Sequence, residues 1–340
     1  VRVLSKANIL DFVSEVDLPN RFLQMTSHQA ASDAVRLALL CRYGGVYMDV
    51  SIIMLTGLDA FCWDAIASGR KAACVFFHPF YGTDKYQNQE FTESWFLATR
   101  PRNPFFLQWR DLVREVLHNR VDTEGLLAHP LYEGLPLDGI DRLNQQFTGL
   151  TFDFREYLFI HTMCLRLLEK DEAAKQEWQG SFIKVDAAET AFRFQLQAEA
   201  RGQFAAQAFV AMSECSDGLM EGVPLVKFVT PHSGPLVPLT KEQLLDTRHS
   251  LGRLLTRPWQ PPAAKRDKVS RSAATAAAST ACVPGSVRGL CSFALAARAQ
   301  FVGSKRWPAR GRQAAWCRQP RVLESRRPAL CGGRGGPSLL

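Results

Sequence analysis

The sequence predicts an α/β fold over residues 1–256 and a tail without regular structure over residues 257–340. Three observations carry this reading. Helical and strand-like patterns alternate through the first part with short turn signals, as in a mixed or parallel sheet covered by helices. A helix–Gly-Gly–strand unit is spelled out between Ser32 and Val50. From Pro258 onward the composition turns to Ala, Arg, Ser, Gly and Pro with no sustained period, too little apolar surface to offset the ordering entropy of a packed chain.

The elements follow in chain order. A helix is predicted over Ser32–Arg42, with Ser32 as N-cap, Val35, Ala38, Leu39 and Leu40 as the apolar stripe, and Gly44-Gly45 as the stop. Val46–Val50 reads as a strand and Ile52–Leu55 as a second short apolar run. Ala72–Phe77 has the apolar density of a buried strand. Asn103-Pro104 supplies an N-cap and first-turn proline for a helix reaching about His118, with Phe105, Trp109, Leu112, Val113 and Val116 on its buried side. Glu156–Lys170 is a third helical stretch, and Phe182–Val185 and Val226–Thr230 are strands.

Charge excludes one tempting class for the folded part. The formal net charge is +8, but residues 257–340 hold 16 Lys and Arg against 2 Asp and Glu, which leaves residues 1–256 with 25 against 31. Any affinity for nucleic acid therefore belongs to the tail, and specific nucleic-acid recognition is not expected. The nine cysteines form no C-x-x-C pair and no compact cluster, so they read as buried or incidental thiols. No apolar run approaches the roughly 18–20 residues that span a bilayer. The strand-like Val1–Leu4 has no signal-peptide layout, and an N-terminal segment, with any membrane anchor, is expected upstream of it.

The stretch that carries chemistry runs from Gln29 to Ser51. Asp33 and Arg36, three residues apart, share one helix face, where an acid and a guanidinium read sugar hydroxyls and phosphate oxygens. Asp49 closes a strand, the place where ligands of open α/β sheets gather. Asp49 and Ser51, two apart on extended chain, offer a carboxylate and a hydroxyl on one side. That pair suits a hard divalent cation shared with a diphosphate, although a hydroxyl is a poorer ligand than a second carboxylate.

The pattern S-D-x-x-R, apolar helix, Y-G-G-V-Y-x-D and then Asp49-Val50-Ser51 resembles glycosyltransferases with the GT-A fold, a Rossmann-related arrangement, and among them the capsular polysaccharide synthesis proteins and glycosyltransferase family 32. Glu93–Ala98 and Tyr157–His161 resemble later blocks of the capsular group. The resemblance covers about residues 1–240, is specific at 29–54 and is loose beyond about 110. It implies that Asp33 and Arg36 contact the donor sugar, and that Asp49 and Ser51 serve the metal, Mn²⁺ or Mg²⁺, and the diphosphate. It further implies transfer of a hexose from a sugar nucleotide to a glycan or lipid-linked acceptor, with retention. His232, after a strand and beside Pro231, Ser233 and Gly234, reads first as a loop histidine and otherwise as the late metal or phosphate contact that the resemblance implies. The strands that bind the nucleotide base in this family would lie upstream of Val1–Leu4.

Two rival readings stand beside this one: a non-catalytic carbohydrate-binding remnant, motivated by Ser51 in place of an acid, and a nucleic-acid-binding protein acting through its tail. Tyr157 and His161, four apart, read first as structural, as do Trp95 and Phe96, which flank an apolar run and could otherwise border an acceptor pocket.

Overall fold

The protein is described here by a computed structural model covering residues 2–78, 90–146, 152–200, 222–229, 236, 238–248 and 250–256. The predicted tail from 257 and His232 lie outside the described residues. In chain order the principal elements are α1 (His28–Tyr43), β1 (Gly45–Met48), β2 (Ile52–Met54), β3 (Ala73–His78), β4 (Phe91–Thr99), α2 (Pro104–Val116), α3 (Asp138–Gln146), α4 (Phe159–Lys170), α5 (Glu172–Ser181), β5 (Phe182–Asp186), α6 (Arg193–Ala200) and β6 (Leu225–Lys227). Of the strand-like Val1–Leu4, residues 2–4 have no regular structure, and Ile9–Gln24 winds through three short 3₁₀ turns.

The mixed sheet predicted from the alternation is present. Four strands lie in the order β1-β4-β3-β5, with β3 and β5 parallel and the other pairs antiparallel. A separate two-stranded sheet joins β2 to β6. Strand β3 feeds both faces, as the period of two requires. Ala73 and Val75 enter a core with α1, α2 and α4, while Cys74 and Phe76 enter a second core with Trp95, Phe96 and Phe192. A sheet covered on both faces explains why all nine residues of β4 are buried.

Helix α1 starts one turn earlier than predicted. Ser27, not Ser32, is the cap, its hydroxyl accepting from the Ala30 amide at 3.2 Å. The good helix formers Gln29, Ala30 and Ala31 continue the helix backward, and both alanines are buried. The predicted stop holds. Gly44 has φ +64°, and a Cβ there would come within 2.6 Å of Pro101, so the exit from α1 presses on the loop after β4.

The α2 start also holds, Asn103 accepting from the Phe106 amide at 3.1 Å ahead of Pro104. Trp109 is fully buried, its indole N–H donating to the Ile160 carbonyl at 2.8 Å, which ties α2 to α4. The predicted Glu156–Lys170 helix is instead two pieces, Phe154–Tyr157 and α4, with Leu158 between them. The cysteines among the described residues, Cys41, Cys62, Cys74 and Cys164, are buried and free, as expected. No helix among the described residues is long and apolar enough to cross a membrane.

Candidate functional site

The predicted pairing on α1 is realised. Arg36 Nη2 lies 2.9 Å from Asp33 Oδ1. Gln29 donates to Asp33 Oδ2 at 2.6 Å and, from the same amide nitrogen, to the Tyr157 carbonyl at 2.9 Å. Both members of the pair are withdrawn from solvent, with Asp33 1% and Arg36 7% exposed. The guanidinium also donates from Nη1 to the Ser94 carbonyl at 2.7 Å and to the Ser94 hydroxyl at 2.9 Å, and it lies 4.3 Å over the Tyr47 ring.

That carbonyl is available because β4 bulges. Val75 pairs with Leu97 and Phe77 with Thr92, so two steps along β3 correspond to five along β4. Residues 93–96 thus stand opposite the single residue Phe76 and leave the ladder to β3, while Phe96 still pairs with Met48 of β1, and Ser94 presents its polar groups to α1. Glu93, Ser94 and Tyr47 were not singled out from the sequence as binding residues. A glutamate and a serine inside the otherwise apolar run around β4 were the available signal.

Asp49 follows β1 and continues its pairing, its amide donating to the Trp95 carbonyl at 2.9 Å. Tyr47 Oη donates to Asp49 Oδ1 at 2.9 Å. Tyr47 therefore links the Asp33–Arg36 pair to Asp49, its ring beneath Arg36 and its hydroxyl on Asp49. Asp33, Arg36 and Asp49 are thereby joined in one chain of contacts through Tyr47.

The feature that sequence reasoning missed is Lys227. Its ammonium donates to Asp49 Oδ2 at 2.8 Å and to Ser51 Oγ at 2.5 Å. Strand β6 places it there by pairing Lys227 opposite Ile52, and the Phe228 amide donates to the Ser51 carbonyl at 3.0 Å. The predicted strand at Val226–Thr230 contained this residue as the one charge in Leu225-Val226-Lys227-Phe228, an unusual placement for a lysine unless it is paired.

The electrostatics follow from burial and these pairs. Burial pushes the Asp33 carboxyl up to about 7 against the pull of Arg36, and nearby Asp49 pushes it further. Burial likewise lifts Glu93 to about 7. Asp49 is different: burial raises it, but Lys227, Arg36 and the hydrogen bonds from Lys227 and Tyr47 outweigh burial and hold it below the usual carboxylate range. Its side chain is 29% exposed, the most accessible acid of the group. His161 is buried, held neutral by burial with its titration lowered to about 3, stacked on Phe91 and 3.9 Å from Glu93. The structural reading of that histidine fits. Phe96 and Trp95 are core residues, while Tyr157 is 40% exposed beside the site.

The residues do not fit a divalent metal as placed. The position between Asp49 and Ser51 that a cation would take is held by the Lys227 ammonium, and among the described residues no three His, Cys, Asp or Glu side chains come together as a metal set.

Comparison with known proteins finds similarity over the span that holds most of these residues. Residues 1–123, which include Asp33, Arg36, Asp49 and Ser51, match the family described as capsular polysaccharide synthesis protein. A glycosyltransferase of Aspergillus fumigatus is 28% identical over 153 residues, covering 45% of this chain and 38% of the relative. An O-glycosyltransferase of Annulohypoxylon truncatum is 23% identical over 217 residues, 58% of this chain and 50% of the relative. A probable glycosyltransferase of Fusarium pseudograminearum is 29% identical over 132 residues, 37% and 32% of the two chains. The chain thus spans half or less of the length of these relatives. No solved structure gives a significant match. Over these spans the chain is similar to the capsular polysaccharide synthesis family and to glycosyltransferases.

Proposed function

We propose that the chain transfers a hexose from a sugar nucleotide to a glycan or lipid-linked acceptor, with retention, on a GT-A-like frame. The observation that supports the reading is the linked set Asp33, Arg36, Tyr47 and Asp49 inside the span that matches the family. In this reading Asp49 and Ser51 face the diphosphate of the donor. Asp33 and Arg36 act on the donor from behind, as positioning residues: Arg36 fixes the β4 bulge and the Tyr47 ring, and Tyr47 orients Asp49. The exposed Tyr157 ring offers a stacking face for a sugar. Association with a membrane belongs to the same proposal. The chemistry that the site must supply is neutralisation of the departing diphosphate, since charge builds on its oxygens as the sugar leaves.

The test is a panel of sugar nucleotides incubated with the full chain, with and without simple glycan acceptors, reading release of nucleoside diphosphate and mass of the product. One donor should be consumed, and Asp49→Asn should lower its turnover by roughly a thousandfold. Turnover in Asp49→Asn equal to the parent would remove Asp49 from the mechanism. A second reading, a non-catalytic carbohydrate-binding remnant, is favoured by the 1% exposure of Asp33, which keeps that acid from a ligand. Saturable sugar binding with no donor consumed would select it.

A further inference from the structure

The Asp49-Val50-Ser51 turn departs from a paired-acid metal site in one residue, and the structure shows what accompanies the departure. Two carboxylates facing a divalent ion form a neutral unit. One carboxylate facing one ammonium is also neutral, and that is the arrangement of Asp49, Ser51 and Lys227. The lysine is no stray surface chain. Its side chain is 8% exposed, and its backbone is held on both sides, by pairing with Ile52 and by its amide N–H donating to the Ala191 carbonyl at 3.1 Å. An ammonium has three N–H donors. Two go to Asp49 and Ser51, and the third has no partner among the described residues.

We propose that Lys227 is the built-in cation of this turn, standing where a divalent metal would, and that it neutralises the diphosphate of the nucleotide donor. The second half rests on the glycosyl-transfer reading above; the first does not. Lysine binds phosphate as a point charge, and here it is pinned by a strand rather than recruited from solution. A hard divalent ion at the same place would need several oxygens at short range and would have to displace an ion pair already made at 2.8 Å. Lys227 lies outside the span that matches the family, so the residue that completes the turn arrives from a distant part of the chain.

Two measurements on the full chain test this. In the first, Mn²⁺ is titrated without donor and followed by electron paramagnetic resonance. Lys227 as resident cation predicts no stoichiometric site; a stoichiometric Mn²⁺ site that disappears in Asp49→Asn would overturn the proposal, and this arm needs no variant of Lys227 to fold. In the second, uridine and guanosine diphosphate are titrated by calorimetry in EDTA and in Mn²⁺. Affinity should agree within about twofold between the two conditions, fall at least about tenfold in Lys227→Met, and largely survive in Lys227→Arg. Affinity that requires Mn²⁺ and is unmoved in Lys227→Met would also overturn it. Absence of nucleotide binding in every condition would sink the transfer reading and the diphosphate role together, while the Mn²⁺ titration still decides whether Lys227 holds the cation's place.

Discussion

Arg36→Met probes the joint between α1 and the β4 bulge, because it keeps the length of the side chain and removes its charge and donors. Two losses follow. The Ser94 carbonyl and hydroxyl, buried in the bulge, lose donors at 2.7 and 2.9 Å, and an unsatisfied buried polar group costs about 1–3 kcal/mol. Asp33 loses the guanidinium 2.9 Å away, and breaking a buried ion pair from one side costs about 3–5 kcal/mol. The second loss depends on pH. The Asp33 carboxyl already titrates near 7, and without Arg36 its folded pKa moves higher still. The native state then binds a proton that the unfolded chain has released, so stability falls as pH rises between the unfolded and folded values. Urea denaturation at pH 5.5 should therefore show mainly the Ser94 loss, and at pH 8 both. Adding Asp33→Asn to Arg36→Met should remove the pH-dependent part and leave the rest. A loss below about 1 kcal/mol at pH 8, or the same loss at both pH values, would refute the argument that this buried pair holds the joint.

Three further outcomes are expected. Glu93, raised from 4.5 to about 7 by burial, makes the parent lose stability as pH rises across that window, on the order of 3 kcal/mol; Glu93→Gln should lessen the slope of the urea-midpoint profile between pH 5 and 8 and leave the part due to Asp33, and an unchanged slope would count against it. Gly44→Ala combines φ +64° with a Cβ 2.6 Å from Pro101 and should cost at least about 2 kcal/mol by thermal or urea denaturation, with near-parent stability contradicting the close approach. Ser51→Asp alone should add a second acid to Lys227 without creating Mn²⁺ affinity, whereas Ser51→Asp with Lys227→Met should create it; a strong Mn²⁺ signal in the single variant would show that the lysine yields easily.

What could be read from the sequence was what local rules govern. The Gly44-Gly45 stop, the Asn103-Pro104 start and the apolar runs of β3 and β5 depend on a few adjacent residues, and each is where it was expected. Ser32 was misplaced as a cap because alanines before it are neutral in pattern but strong helix formers in fact. Strand β4 was hidden by its own bulge. Glu93 and Ser94 interrupt the alternation of Phe91–Thr99, and a register shift against β3 cannot be inferred from one strand. Helix α5, Glu172–Ser181, carries only Ala174 and Trp178 as buried residues, too few to mark an apolar stripe. Within the site, Asp33 with Arg36 was legible as a pair three apart on one helix. Lys227 was not, since its contacts with Asp49 and Ser51 span 178 and 176 residues and depend on the pairing of two short strands.

The identity of residue 51 follows from that distant strand. With Lys227 paired to Asp49, an aspartate at 51 would leave the turn one negative charge in excess, and a diphosphate would then meet net repulsion. Serine leaves the turn neutral and adds a donor. Its oxygen accepts from Lys227, so its own O–H is free to give to another acceptor, and the lysine keeps its third N–H. Asp49 cannot contribute a proton: held below the usual carboxylate range, it stays ionised and serves to keep the ammonium in place. Behind it, Tyr47 links Asp49 to a guanidinium that is itself neutralised by Asp33, so the field of Arg36 reaches the turn only in part. The two donors that remain, one ammonium N–H and one hydroxyl, suit oxygen acceptors carrying negative charge, which is the chemistry of a phosphate and not of a neutral sugar hydroxyl.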